Sequence, residues 1–157
     1  MLTLTLTTAG LVILCVIFHG SFLQNLGSLL FKEKKFGFPR ISFFIFLTVL
    51  AHLIEILFFT LAYGILSPDP NYGQIIGAET LEWQDFYYFS AVTYTATGYG
   101  DLTPTGDLRL LATVEALTGL IMIAWTASLA YFIMSRYWTH REPLLLRKHE
   151  SKHPSTD

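Results

Sequence analysis

The sequence predicts an all-α membrane protein. One transmembrane helix comes first, and two more flank a short helix and a re-entrant, glycine-bearing loop. Three observations predict this. Apolar residues make up 52% of the chain and charged residues 14%, against about a quarter charged in soluble domains. The apolar residues gather in three blocks, each long enough to approach the roughly 20 residues that a bilayer span needs. Between the second and third blocks lies an aromatic, helix-length run followed by Thr95-Ala96-Thr97-Gly98-Tyr99-Gly100-Asp101. A chain of 157 residues fits one domain by length.

Residues 1–31 carry no Asp, Glu, Lys or Arg, and Leu11 to Phe18 is their most apolar part. A secretory signal needs a basic start and a small-residue cleavage site, and neither is present. The segment reads as a retained transmembrane helix over about residues 6–31. An interfacial helix is the other reading, but it calls for a basic polar face that is missing here. Ser21, Gln24 and Asn25 are expected to hydrogen-bond to neighbouring helices. Cys15, the single cysteine, reads as a buried, inert thiol with no part in a disulfide or metal site.

Residues 32–40 form a basic loop with a Gly/Pro turn. The unit 41–137 follows: a span from Ile41 to about Leu66, a turn-rich loop from Ser67 to Gly73, a short helix over 81–95, the glycine-bearing stretch, and a last span from Thr105-Gly106-Asp107 to about Tyr137. Residues 138–157 read as a short polar tail, ordered to about Glu142. Of ten Lys and Arg, four lie in 32–40 and five in 136–157. The positive-inside bias therefore puts both segments in the cytoplasm and the N-terminus outside, in a multi-pass protein of the plasma (inner) membrane. The intervening segment, with Asp69, Glu79, Glu82, Asp85, Asp101 and Asp107 against Arg109 alone, faces outside.

Glycines at alternate positions, Gly98 and Gly100, open backbone regions closed to other residues. A narrow extended segment with its carbonyls on one side becomes possible. Four such segments around one axis make rings of oxygens that replace the water shell of a cation. Tyr88-Phe89-Ser90-Ala91-Val92-Thr93-Tyr94-Thr95-Ala96-Thr97-Gly98-Tyr99-Gly100-Asp101-Leu102-Thr103-Pro104 resembles the pore loop of the potassium-channel superfamily, and the likeness covers roughly residues 41–137. It resembles in particular a bacterial two-helix pore with an extra N-terminal span.

The resemblance implies a selectivity filter over Thr95, Ala96, Thr97, Gly98, Tyr99, Gly100 and Asp101. The carbonyls of Ala96, Thr97, Gly98 and Tyr99 would bind K⁺. It implies a homotetramer in membrane lipid, no cofactor beyond the permeant K⁺, no nucleic-acid partner and no enzymatic activity. A separate regulatory subunit stays open. Tyr88, Tyr94 and Glu115 are expected to support the filter, against a reading of the two tyrosines as helix-packing aromatics. Glu115 followed by Gly119 resembles related bacterial inner helices, with Gly119 as hinge, against a reading as close helix packing. Ile123, Ala127, Ser128 and Tyr131 are expected to face the cavity and gate.

Two positions depart from the family. Ala96 stands where a second Thr is common, so a ring of hydroxyls is missing at the innermost site. Val92 stands where some relatives carry an acid in the pore helix. A weakly selective cation channel is therefore the nearest alternative, and the ion-translocating subunit of a K⁺ uptake transporter a further one. His52, Glu55 and Glu115 are the ionisable groups expected inside spans, where charge is costly and usually paired. His52 and Glu55 share a helix face at i,i+3.

Overall fold

The computed structural model describes residues 1–31 and 37–150. Most of the expected basic loop 32–40 and the last seven residues of the tail lie outside the described residues. The elements are α1 (Leu2–Phe31), α2 (Phe38–Leu66), β1 (Ile75–Ile76), α3 (Trp83–Tyr94), β2 (Thr103–Pro104) and α4 (Leu108–Glu150). Among the described residues, three stretches are long and apolar enough to cross a bilayer: Leu2–Leu29, Phe38–Leu66 and Leu108–Thr139. The protein is an all-α, multi-pass membrane protein.

The helix boundaries follow local chemistry. Pro39 sits in the first turn of α2, where its missing N–H leaves no bond unmade. Pro68 follows the last turn and cannot continue it. At the start of α3 the Asp85 carboxylate accepts the Glu82 backbone N–H at 2.8 Å, while the Glu82 side chain accepts the reciprocal bond. This satisfies two of the donors that a helix start leaves open. Helix α4 runs on to Glu150, past the expected end of the span near Tyr137 and of order near Glu142. The Leu, Arg, Lys and Glu that follow are good helix formers, and extending a formed helix needs no new nucleus.

Helix α3 lies between α2 and α4, and α1 packs against both of those long helices. The Met1 amino group is 3.6 Å from Asp107 Oδ2. So α1 and α4 begin at the same end of the bundle, and α2 runs the opposite way. Around α3 the core draws Phe59 and Tyr63 from α2, Phe89 and Tyr94 from α3, and Leu108, Leu111 and Met122 from α4. A second cluster joins the far ends through Leu23, Ile41, Phe44, Ile133 and Tyr137.

The pair β1–β2 adds a short ribbon to the helices. It is antiparallel, with Ile75 opposite Pro104 and Ile76 opposite Thr103. Beside it Thr105 N–H donates to the Gln74 carbonyl at 2.8 Å and Leu108 N–H to that of Tyr72 at 3.0 Å. These bonds lash the loop after α2 to the chain leaving the glycine-bearing stretch.

Candidate functional site

Residues 95–101 are exposed throughout. Positive φ recurs at alternate residues: Ala96 at 55°, Gly98 at 53° and Gly100 at 83°. Alternating the sign of φ turns successive peptide planes so that their carbonyls face one side. The N–H groups go the other way, back to α3. Thr95 donates to Ala91 O (3.1 Å), Ala96 to Thr93 O (2.9 Å), and Thr97 and Gly98 both to Val92 O (2.9 and 3.1 Å). Among the described residues, no carbonyl from Thr95 to Gly100 accepts a hydrogen bond. The stretch thus offers a run of open carbonyl oxygens on a backbone anchored by its donors.

The outer side is braced by Tyr88. Its hydroxyl donates to Asp101 Oδ2 at 2.8 Å, and its ring stacks on Tyr99 with centroids 6.3 Å apart and planes 4° apart. The Tyr88 hydroxyl, with the Leu102 N–H, holds the Asp101 carboxyl below the usual carboxylate range. The same bond pushes the Tyr88 phenol above its ordinary value. Tyr94 does not brace the stretch this way. Its side chain is buried and its hydroxyl turns away, donating to Glu55 Oε2.

Glu115 is fully buried behind α3. It accepts a bond from the Tyr63 hydroxyl at 2.6 Å and lies 2.5 Å from the Ser90 hydroxyl of α3. Ser90 also donates to the Ile56 carbonyl at 2.9 Å. One carboxyl therefore ties α4 to both α2 and α3. One turn further on, a Cβ at Gly119 would run into the Tyr94 carbonyl oxygen. Close contact between α4 and the end of α3 is thus a sufficient reason for glycine there.

His52 and Glu55 meet the third helix and the first. His19 Nδ1 is 2.8 Å from Glu55 Oε1, and His52 Nδ1 is 3.3 Å from Glu55 Oε2 and 3.0 Å from the Tyr94 hydroxyl. Thr126 Oγ1 of α4 is 3.1 Å from Nε2 of His52 and 3.1 Å from Nε2 of His19. Nothing in the sequence singles out His19. A lone histidine in an apolar helix gives no periodic signal, and its partner is 36 residues away. Ser21, Gln24 and Asn25, expected to join α1 to its neighbours, are exposed; His19 makes that junction instead.

On α4 beyond Gly119, Ile123, Ala127, Ser128 and Tyr131 are all exposed in the single chain, Ile123 at 38% and Tyr131 at 76%. Their spacing puts them on one open face of α4.

Residues 76–135 match a family described as ion channel. A protein named LctB from Bacillus caldotenax is 37% identical over 79 residues, covering 50% of this chain and 54% of that protein. Two-pore potassium channel 4 of Arabidopsis thaliana is 32% identical over 77 residues, 48% of this chain and 27% of its own length. The inward rectifier potassium channel Kirbac3.1 of Paramagnetospirillum magnetotacticum is 34% identical over 100 residues, 61% of this chain and 32% of its own length. The chain therefore spans about half of the first relative and roughly a quarter to a third of the two channels.

Proposed function

We propose that this chain, a member of the potassium-channel pore superfamily, assembles as a homotetramer that conducts K⁺ passively and selectively. The match of residues 76–135 to an ion-channel family supports a channel and no enzymatic role. The observation that carries the proposal is the run of open carbonyls over residues 95–100, with its N–H groups anchored on α3. Irregular backbone at membrane depth persists only where protein buries it or water meets it. Three further copies around a shared axis supply both conditions and close rings of oxygens from Ala96, Thr97, Gly98 and Tyr99. Each ring replaces part of the hydration shell of K⁺.

The rest of the fold supports this reading. Helix α3 ends at Tyr94, so its C-terminal dipole, about half a negative charge, points toward the start of the stretch. Ile123, Ala127, Ser128 and Tyr131 are free to line the cavity and gate. The amino terminus beside Asp107 sits at the acidic end, consistent with an outside N-terminus and a cytoplasmic C-terminus. Gly119 serves α3 packing in this arrangement, and hinge motion there is a second role to test.

Weak selectivity remains the second reading, on one specific observation. Ala96 brings no hydroxyl, and the Thr97 hydroxyl lies 2.9 Å from that of Thr95. The test is K⁺ uptake into liposomes containing the purified protein, together with its mass in lipid. Fourfold mass and uptake abolished by Asp101→Ala or Gly98→Ala support the proposal. A monomer or dimer that carries K⁺ contradicts it.

A further inference from the structure

We propose that His19, His52 and Glu55 form a binding site for one divalent transition-metal ion of the zinc class. The site joins α1 to the pore unit, and it goes beyond ion conduction. One ligand atom from each of the three residues lies within 4.8 Å of the other two. His19 and Glu55 are wholly buried, and the His52 side chain is 17% exposed.

Thr126 sits between the two histidine rings. A hydroxyl oxygen has two lone pairs, and a neutral imidazole carries one N–H and one acceptor nitrogen. Thr126 Oγ1 is equidistant from the two Nε2 atoms. In the tautomers that give it an N–H from each ring, both Nδ1 lone pairs face the Glu55 carboxylate; with the N–H on Nδ1, each ring donates to Glu55 directly. In the first arrangement three acceptors converge on one point, which a metal ion can bond at once. A proton bonds two of them at a time; a metal ion bonds all three. The Tyr94 hydroxyl, beside His52 Nδ1 and Glu55, stands next to the same point as a fourth oxygen.

The ligand set selects the metal. Two imidazoles and a carboxylate suit zinc and its first-row neighbours, whereas magnesium and calcium take oxygen ligands. Thr126 holding the outward nitrogens is the outer-shell arrangement that fixes ligand rings and tautomers. An occupied site clamps α1 to the residue that precedes Thr95.

The test uses the full chain in detergent or lipid, without an affinity histidine tag, and with His140, His149 and His153 changed to Gln so that they cannot bind metal. Co²⁺ is titrated and its visible absorption recorded, and Zn²⁺ content is measured by elemental analysis. One Co²⁺ per chain, displaced by Zn²⁺, is expected. His19→Gln and Glu55→Gln should remove the absorption, and Thr126→Val should weaken binding about 10–100-fold. Absence of Co²⁺ absorption in the parent protein would show a proton-held network only and overturn the proposal. So would a band that survives His19→Gln. The parent titration needs no site variant to fold, and none of these readings depends on ion flux.

Discussion

Glu115 is a sharp place to test the packing behind the proposed filter. Its carboxyl accepts from Tyr63 and contacts Ser90, and water has no access to it. Glu115→Ala removes both contacts, but the consequences for the two partners differ. Ser90 keeps the Ile56 carbonyl, so it stays bonded. Tyr63, buried, is left with a hydroxyl and no acceptor, which costs about 1–3 kcal/mol. The space vacated adds a cavity term; buried large-to-Ala changes cost about 2–5 kcal/mol. Now add Tyr63→Phe. In the parent protein this change removes a good bond and should destabilise by about 1–3 kcal/mol. On top of Glu115→Ala it removes the orphaned hydroxyl and should stabilise. The predicted sign reversal is read by unfolding the four proteins of the double-mutant cycle in mixed micelles. Equal destabilisation by Tyr63→Phe in both backgrounds would refute the reasoning.

Three further outcomes follow from the structure. Gly119→Ala puts a methyl group against the Tyr94 carbonyl, so it should lower both stability and K⁺ flux; a variant with normal stability and altered open time would assign Gly119 to hinge motion instead. Tyr88→Phe removes the bond that depresses the Asp101 carboxyl. A depressed carboxylate keeps its charge until the pH falls through its lowered value, so the variant should lose that charge at a higher pH. Its K⁺ flux at low salt should begin to fall at higher pH than in the parent, and coincident profiles would contradict this. Ala96 supplies a carbonyl and no hydroxyl, so internal Ba²⁺ block should be weak and strengthened by Ala96→Thr; unchanged block would place the missing oxygens on Thr97.

Much of this architecture was legible in the sequence because membrane helices obey strong constraints. The three spans follow from apolar length. The boundaries at Pro39 and Pro68 follow from proline chemistry, and the exposed alternation at residues 96, 98 and 100 extends what Gly98 and Gly100 predicted. Ala96 shares that conformation without being glycine, at about 1–2 kcal/mol, a feature the residue type did not announce. The rest was illegible for identifiable reasons. Strands of two residues, Ile75–Ile76 and Thr103–Pro104, are too short to show a period. Tyr94 was expected to brace the filter, yet its hydroxyl reaches Glu55, because that partner lies 39 residues away on another helix. His19 depends on α1 and α4 meeting at one depth, which hydropathy cannot specify. The continuation of α4 through Pro143 to Glu150 runs against proline's usual effect on a helix interior, so the sequence marks a tail there.

The central claim is K⁺-selective conduction through a ring of four such stretches. Its most direct test is the reversal potential of the purified protein in a planar bilayer, with K⁺ on one side and Na⁺ on the other. The open-carbonyl geometry of residues 96–99 predicts a potential set by K⁺, at least tenfold selective, or about 1.4 kcal/mol of discrimination. A reversal potential near zero, with equal currents carried by Na⁺, would contradict it.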